Sequence, residues 1–125
     1  MSVSRDYLDY VVDQLAPFAQ VVTRRMFGAV GLYAQELFFG LIDDDSLYLK
    51  VDDTNRADYT TRGCEPFRPF ADVASMSYFR VPADVLEDAD ELAQWARKSL
   101  QVAAAAAAAR PRRARARKPP RSRAR

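Results

Sequence analysis

Apolar residues return at helical spacing at Leu8, Val11, Val12 and Leu15 while Asp6, Asp9 and Asp13 point elsewhere, with Ser4 placed to cap them. The stretch predicts an amphipathic helix ended near Pro17. From Val21 the period shortens. Val21 to Thr23 is β-branched, Val30 to Tyr33 is extended, and Leu37 to Ile42 and Leu47 to Val51 are short apolar runs, with polar breaks at Gln35-Glu36 and Asp43 to Ser46. An antiparallel meander is the simplest arrangement of these runs. Asp53 or Thr54 caps a short helix through Tyr59 that Gly63 closes, and Phe67 to Phe70 and Met76 to Val81 add two further strands, the second stopped by Pro82. Asp88 with Glu91 forms a capping box for a helix whose Leu92, Trp95, Ala96 and Leu100 share one face. That helix runs on through Ala109, where Pro111 ends regular structure and disorder follows. The fold class is α+β, an antiparallel sheet of about five strands packed in two layers against N-terminal and C-terminal helices.

Charge divides the chain where the hydrophobic pattern stops. The net charge of +2 is the sum of residues 1–109, with ten basic and seventeen acidic residues, and Arg110 to Arg125, with nine basic residues and no acid. The expected organisation is a folded domain over 1–102, then an alanine-rich helical extension and a disordered basic tail over 103–125. The tail candidates for nucleic-acid contact are Arg110, Arg112, Arg113, Arg115, Arg117, Lys118, Arg121, Arg123 and Arg125. Arginine offers a permanently charged fork matched to phosphate, and such a segment would follow a backbone without reading bases. A solubilising tail with no selected partner is the other reading of the same charge run.

Candidate catalytic chemistry is sparse. With no histidine, a histidine base, a Ser-His or Cys-His pair and a histidine-ligated metal are excluded. The single Cys64 cannot form an internal disulfide, Glu65 beside it would raise its thiol pKa, and it reads as a structural cysteine in a reducing compartment. Asp43-Asp44-Asp45 lacks the glycine and distant glutamate of a calcium loop and reads as a hairpin turn; Asp52-Asp53 reads as capping and solvation. No phosphate-binding glycine motif occurs. No catalytic residue, metal or cofactor is therefore expected, and the chain reads as non-enzymatic. No secretory leader or membrane span is visible, so the cytoplasm is the expected compartment.

Four blocks carry a resemblance. They are Arg24-Arg25-Met26-Phe27-Gly28 continuing through Gly31-Leu32-Tyr33, then Leu47 to Arg56, Ser75 to Pro82, and Trp95-Ala96-Arg97-Lys98. In this order and spacing they resemble the N-terminal domain of the TfoX/Sxy competence regulators, over roughly residues 5–100. The resemblance implies an α+β domain and a part in transcriptional activation beside a DNA-bound activator. Ala29 stands where the family usually has a second glycine, and alanines and arginines stand where its second, helical domain would begin.

Among the matching residues, Arg24, Arg25, Lys50, Asn55 and Arg56 form a candidate surface for a partner protein or phosphate, or else pair with the acids around them. Adjacent strand residues face opposite ways, so at most one of Arg24 and Arg25 shares a face with Lys50. Phe27, Tyr33, Phe38, Tyr48 and Tyr78 are candidates for a binding face, although alternation assigns most of them to the core. The expected function is a regulatory or adaptor domain whose tail reaches DNA and whose body meets transcription machinery or an activator, with a homodimer possible and no membrane partner. The alternative is a protein- or small-ligand-interaction module unconnected with transcription.

Overall fold

In the computed structural model, which describes residues 3–26, 28–67 and 77–117 with side chains as far as position 109, Ser4 opens the first helix, α1 (Arg5–Gln14). Its hydroxyl accepts the Tyr7 amide at 3.1 Å, the bond expected of an N-cap. The inward stripe ends in Val11 and Leu15, both fully buried. Asp45 accepts the Ser4 amide at 2.9 Å, tying the start of α1 to a hairpin far along the chain.

The expected meander follows. Strands β1 (Val22–Met26), β2 (Ala29–Ala34), β3 (Leu37–Asp43), β4 (Ser46–Lys50) and β5 (Tyr78–Arg80) lie in chain order, each antiparallel to its neighbour. Two-residue turns join β2 to β3 and β3 to β4, and their central residues are left-handed, with φ of 53° and 66° at Gln35 and Glu36 and 51° at both Asp44 and Asp45. Such turns match the twist of the strands but usually recruit glycine or asparagine. Side chains at these positions therefore hold strain. At the β1–β2 turn Gly28 takes the left-handed backbone, at φ 84°, while Ala29 already pairs with Met26 inside the ladder. Its methyl thus occupies ordinary strand backbone.

Between the pairs Leu32–Gly40 and Tyr33–Phe38, β3 holds one residue more than β2. The extra residue is Phe39, and a bulge of this kind brings two successive side chains to one side. Phe39 is fully buried and meets Phe18 edge-on at 5.2 Å. Alternation then assigns Val30, Leu32, Ile42, Leu47, Leu49 and Phe79 to the face that joins the helices in one core.

The remaining helices cover that same face. α2 (Arg56–Thr60) follows Asn55, and no side chain bonds its first amides, in contrast to the cap expected from Asp53 or Thr54. Asp52 instead accepts the amide and hydroxyl of Thr54 at 2.8 and 2.5 Å, closing its own turn. A short α3 (Ala83–Leu86), not expected from the sequence, starts on Pro82, whose fixed φ of −61° suits a helix entry, and buries Val85 and Leu86. α4 (Ala89–Arg117) begins as expected, with Asp88 accepting the Glu91 amide at 3.2 Å. It buries Leu92, Trp95 and Ala96, and each fully buried leucine of this kind contributes about 2 kcal/mol.

The far end of α4 corrects the sequence reading. Regular structure was expected to end at Pro111, but the helix continues to Arg117. An interior proline costs about 3 kcal/mol, and the alanines and arginines on both sides, among the strongest helix formers, oppose that cost. The expected strand over Phe67 to Phe70 extends outside the described residues. Its described start lies against β5: Pro66 bridges Phe79, the Phe67 amide donates to the Tyr78 carbonyl at 2.7 Å, and the Arg80 amide donates to the Glu65 carbonyl at 2.9 Å.

Tyr59 sits at the centre of the helical layer, its ring 4.7 Å from that of Trp95 and 5.8 Å from that of Phe79. Burial pushes its phenol far above the ordinary range, with Ser99 the chief opposing influence. A phenol that resists ionisation only when folded stabilises the protein below its unfolded value and withdraws that stabilisation as pH rises through about 10. Denaturant melts taken between pH 8 and pH 11 should therefore show stability falling above about pH 10, with a shallower fall in Tyr59→Phe. The strained turn gives a second prediction: Gln35→Asn with Glu36→Gly should raise the unfolding free energy by about 1 kcal/mol, seen as a higher midpoint in urea melts. An unchanged midpoint would locate the strain elsewhere.

Candidate functional site

The second face of the sheet carries a different chemistry. Strand pairing sets Arg24, Gly31, Leu41, Tyr48 and Arg80 on one rung, and Val22 and Tyr33 with Phe38, and Lys50 with Tyr78, on the next. Tyr33, Phe38, Tyr48 and Tyr78 are all half-buried here, which corrects their assignment to the core. Four other aromatics, Phe39, Tyr59, Phe79 and Trp95, fill the core. Phe27, the fifth expected member of an aromatic face, lies outside the described residues.

Three of these rings form a row. Phe38 lies 5.2 Å from Tyr33 and 5.7 Å from Tyr78, so the row crosses from β2 to β5. A cation sits over each end: the Arg24 guanidinium 5.5 Å from the Tyr33 ring, and the Lys50 ammonium 4.9 Å from the Tyr78 ring. Lys50 Nζ also donates to the Tyr78 hydroxyl at 3.3 Å. Gly31 makes the floor of this row. A Cβ there would come within 2.7 Å of Met26 Cε, 3.0 Å of Phe38 Cε1 and 3.3 Å of Tyr33 Cε1, so the missing side chain lets the rings settle on the backbone.

A recess of about 410 Å³ opens beside the row, lined by Tyr33, Phe38, Lys50 and Tyr78 on the sheet, by Glu36 and Leu37 at the turn, and by Ala103, Ala106 and Ala107 of α4. The alanine stretch thus runs along the edge of the aromatic row, and small side chains allow that approach. On the neighbouring rung Tyr48 packs its ring 4.9 Å from Phe67, and burial pushes its phenol up while Arg80 opposes the shift.

The expected basic patch divides. Arg24 shares the second face with Lys50, and Arg25 pairs with Val30, pointing to the opposite side of the exposed outer strand. Arg56 forms an ion pair with Asp53. Asn55 is not a surface residue at all, being 2 % exposed. Its Oδ1 accepts the Asp52 amide at 2.9 Å and its Nδ2 donates to the Lys50 carbonyl at 3.2 Å. The same carbonyl accepts the buried Ser99 hydroxyl at 2.7 Å, so β4, the turn into α2 and α4 are fastened at one atom.

Of the tail candidates, Arg110, Arg112, Arg113, Arg115 and Arg117 lie on the helical backbone of α4, and Lys118, Arg121, Arg123 and Arg125 fall outside the described residues. α4 is continuous across position 102, and Ala103, at 4 % exposure, still belongs to the core.

Several charged groups engage one another on the helical side. In a cleft between α2 and α4, Lys98 pairs with Asp58 at 2.8 Å and Arg62 lies 5.8 Å from the Trp95 ring while pairing with Asp84 at 2.6 Å. That pairing holds the Asp84 carboxyl below its ordinary value. The Asp52 carboxyl is likewise held down by the hydroxyl and amide of Thr54. Cys64 is half-buried, and its thiol is pushed up chiefly by burial; Arg62 opposes the shift, and Asp84 rather than Glu65 is the acid that adds to it. Among the described residues no group of three acidic or cysteine side chains is placed to hold a metal ion.

Comparison with known families matches residues 13–103 to the TfoX N-terminal domain, and the chain belongs to that family. The match covers the whole sheet and the buried part of α4 and stops where the alanines begin. No curated protein matches the chain.

The position of Asn55 gives a direct check on the divided patch. Asn55→Ala should lower unfolding free energy by about 2 kcal/mol, because it orphans a buried amide and weakens the fastening at Lys50. Arg56→Ala should change it by less than about 0.5 kcal/mol, as for other exposed ion pairs. Equal effects in urea melts would contradict this division.

Proposed function

We propose that this protein is a non-catalytic regulatory domain that acts beside DNA: its folded body meets a protein of the transcription machinery, and its basic helical extension supplies contacts to phosphate. Membership of the TfoX N-terminal domain family supports the regulatory part. A role in competence is the specific form that this reading takes. The observation that carries the DNA part is the change of charge along one continuous helix. α4 leaves the core at Ala103 and continues to Arg117 with five arginines and no acid beyond position 109, while residues before Arg110 carry a net −7.

Because α4 is anchored in the core, the backbone of Arg110 to Arg117 continues from a defined place on the molecule. Phosphate contacts of this type position a protein on DNA and leave the choice of sequence to its partner. The lack of histidine, the raised thiol of Cys64 and the engagement of Asp52, Asp53 and Asp84 in turns and ion pairs support a non-catalytic reading. Among the described residues no helix is long and apolar enough to cross a membrane. The cytoplasm, where a nucleic-acid partner is found, is the compartment that goes with this reading.

Duplex DNA titrated with the full chain and with residues 1–109 over a salt series tests this reading. The full chain should bind with log K falling against log salt at a slope of up to about −8, the limit if all nine charges meet phosphate, and the shortened chain should bind far more weakly. Equal, salt-insensitive binding by the two would remove the extension from the function.

A further inference from the structure

We propose that the second face of the sheet binds single-stranded nucleic acid, stacking unpaired bases on Tyr33, Phe38 and Tyr78 while Arg24 and Lys50 take the flanking phosphates. The inference rests on the reading of the extension as a polyanion contact and adds the class of strand that it serves. The helices α1 to α4 bury the opposite face in the core, leaving these three rings half-buried on a face of their own. Their centroid spacings of 5.2 and 5.7 Å place apolar ring surfaces from β2, β3 and β5 side by side, where two or three splayed bases can lie. Stacking of this kind tolerates any base, because every base has a π-face.

The cations are placed where the backbone of a stacked strand must pass. Arg24 and Lys50 stand over opposite ends of the row, each within 6 Å of a ring, so a phosphate flanking a stacked base meets positive charge at either end. Glu36, the acid lining the recess, repels phosphate there and leaves that space to a base. α4 then carries Ala103, Ala106 and Ala107 past the same recess and continues into the arginines. Duplex DNA offers the extension its phosphates but hides its base faces, so the aromatic row distinguishes the two forms.

The test uses the full chain carrying Tyr33→Trp, which keeps a stacking ring and adds a fluorophore to the row. Trp95, the native tryptophan, packs against Tyr59 on the helical side, so the unmodified protein supplies the baseline. Oligomers of deoxythymidine and of uridine, a DNA duplex and polyglutamate are titrated in turn at matched salt. Quenching of the introduced indole by either single strand and not by duplex supports the proposal, and the relative affinity of the two oligomers separates DNA from RNA. In the full chain with Tyr33→Leu and Phe38→Leu, affinity for the preferred strand should drop by roughly ten-fold while duplex affinity stays unchanged. Single strands that bind without altering the indole, or equal quenching by duplex or polyglutamate, overturn it. Binding that follows salt but ignores the row would leave the extension's role standing alone, whereas quenching without salt dependence would retain the row and remove the extension.

Discussion

The carbonyl of Lys50 is the point on which the arrangement of both faces depends. It ends β4 and accepts two buried side chains, the Asn55 amide from the turn into α2 and the Ser99 hydroxyl from α4. Strand, turn and long helix are thus held at one oxygen, inside a low-dielectric environment where an unmade bond would be costly. The direction in which α4 leaves the core is set there. One turn further on, Ala103 is the last well-buried residue described, and Ala106 and Ala107 border the aromatic row. The side chain of Lys50 meanwhile projects onto the second face and reaches Tyr78. A single residue therefore joins the packing of the core, through its backbone, to the chemistry of the open face, through its ammonium.

Much of the fold could be read from local pattern because local physics decided it. Ser4 and Asp88 cap helices through their own side chains, and the polar breaks at Gln35-Glu36 and Asp43 to Ser46 are hairpin turns. What escaped were features set by tertiary contact. The short α3 has too few residues to show a period, and it exists because Val85 and Leu86 find a place in the core. Pro111 looked like a terminus because intrinsic propensity gives it that weight, yet it lies within a helix already established by the packing of Leu92, Trp95 and Ala96.

The candidate site was legible in its cations and not in its geometry. Strand parity allowed one of Arg24 and Arg25 to join Lys50, and the strand register selects Arg24. Asn55 was grouped with its basic neighbours because of its place in a matching block, but an amide with two donors and an acceptor is suited to fastening backbone, and burial gives it that task. Tyr33, Phe38, Tyr48 and Tyr78 were assigned inward by alternation, which separates the two faces of a strand without saying which one is covered. Four other large rings occupy the core, and among the described residues the second sheet face meets a helix only where the alanines of α4 border the recess. No count of aromatic residues could have shown which set lay where.

The bulge at Phe39 separates these two sets. Phe38 and Phe39 are adjacent in the chain, yet one stands in the outer row beside Tyr33 and the other meets Phe18 in the core. Without a bulge, simple alternation from Gly40 would set Phe39 outward opposite Tyr33 and carry Phe38 to the side of Gly40 and Ile42, so the two rings would exchange places. Chain length at this point therefore acts as an address: removing one residue from the start of β3 would exchange interior for exterior while scarcely altering composition. Related chains that differ here by a single insertion or deletion would keep the same architecture and present another surface to the outside.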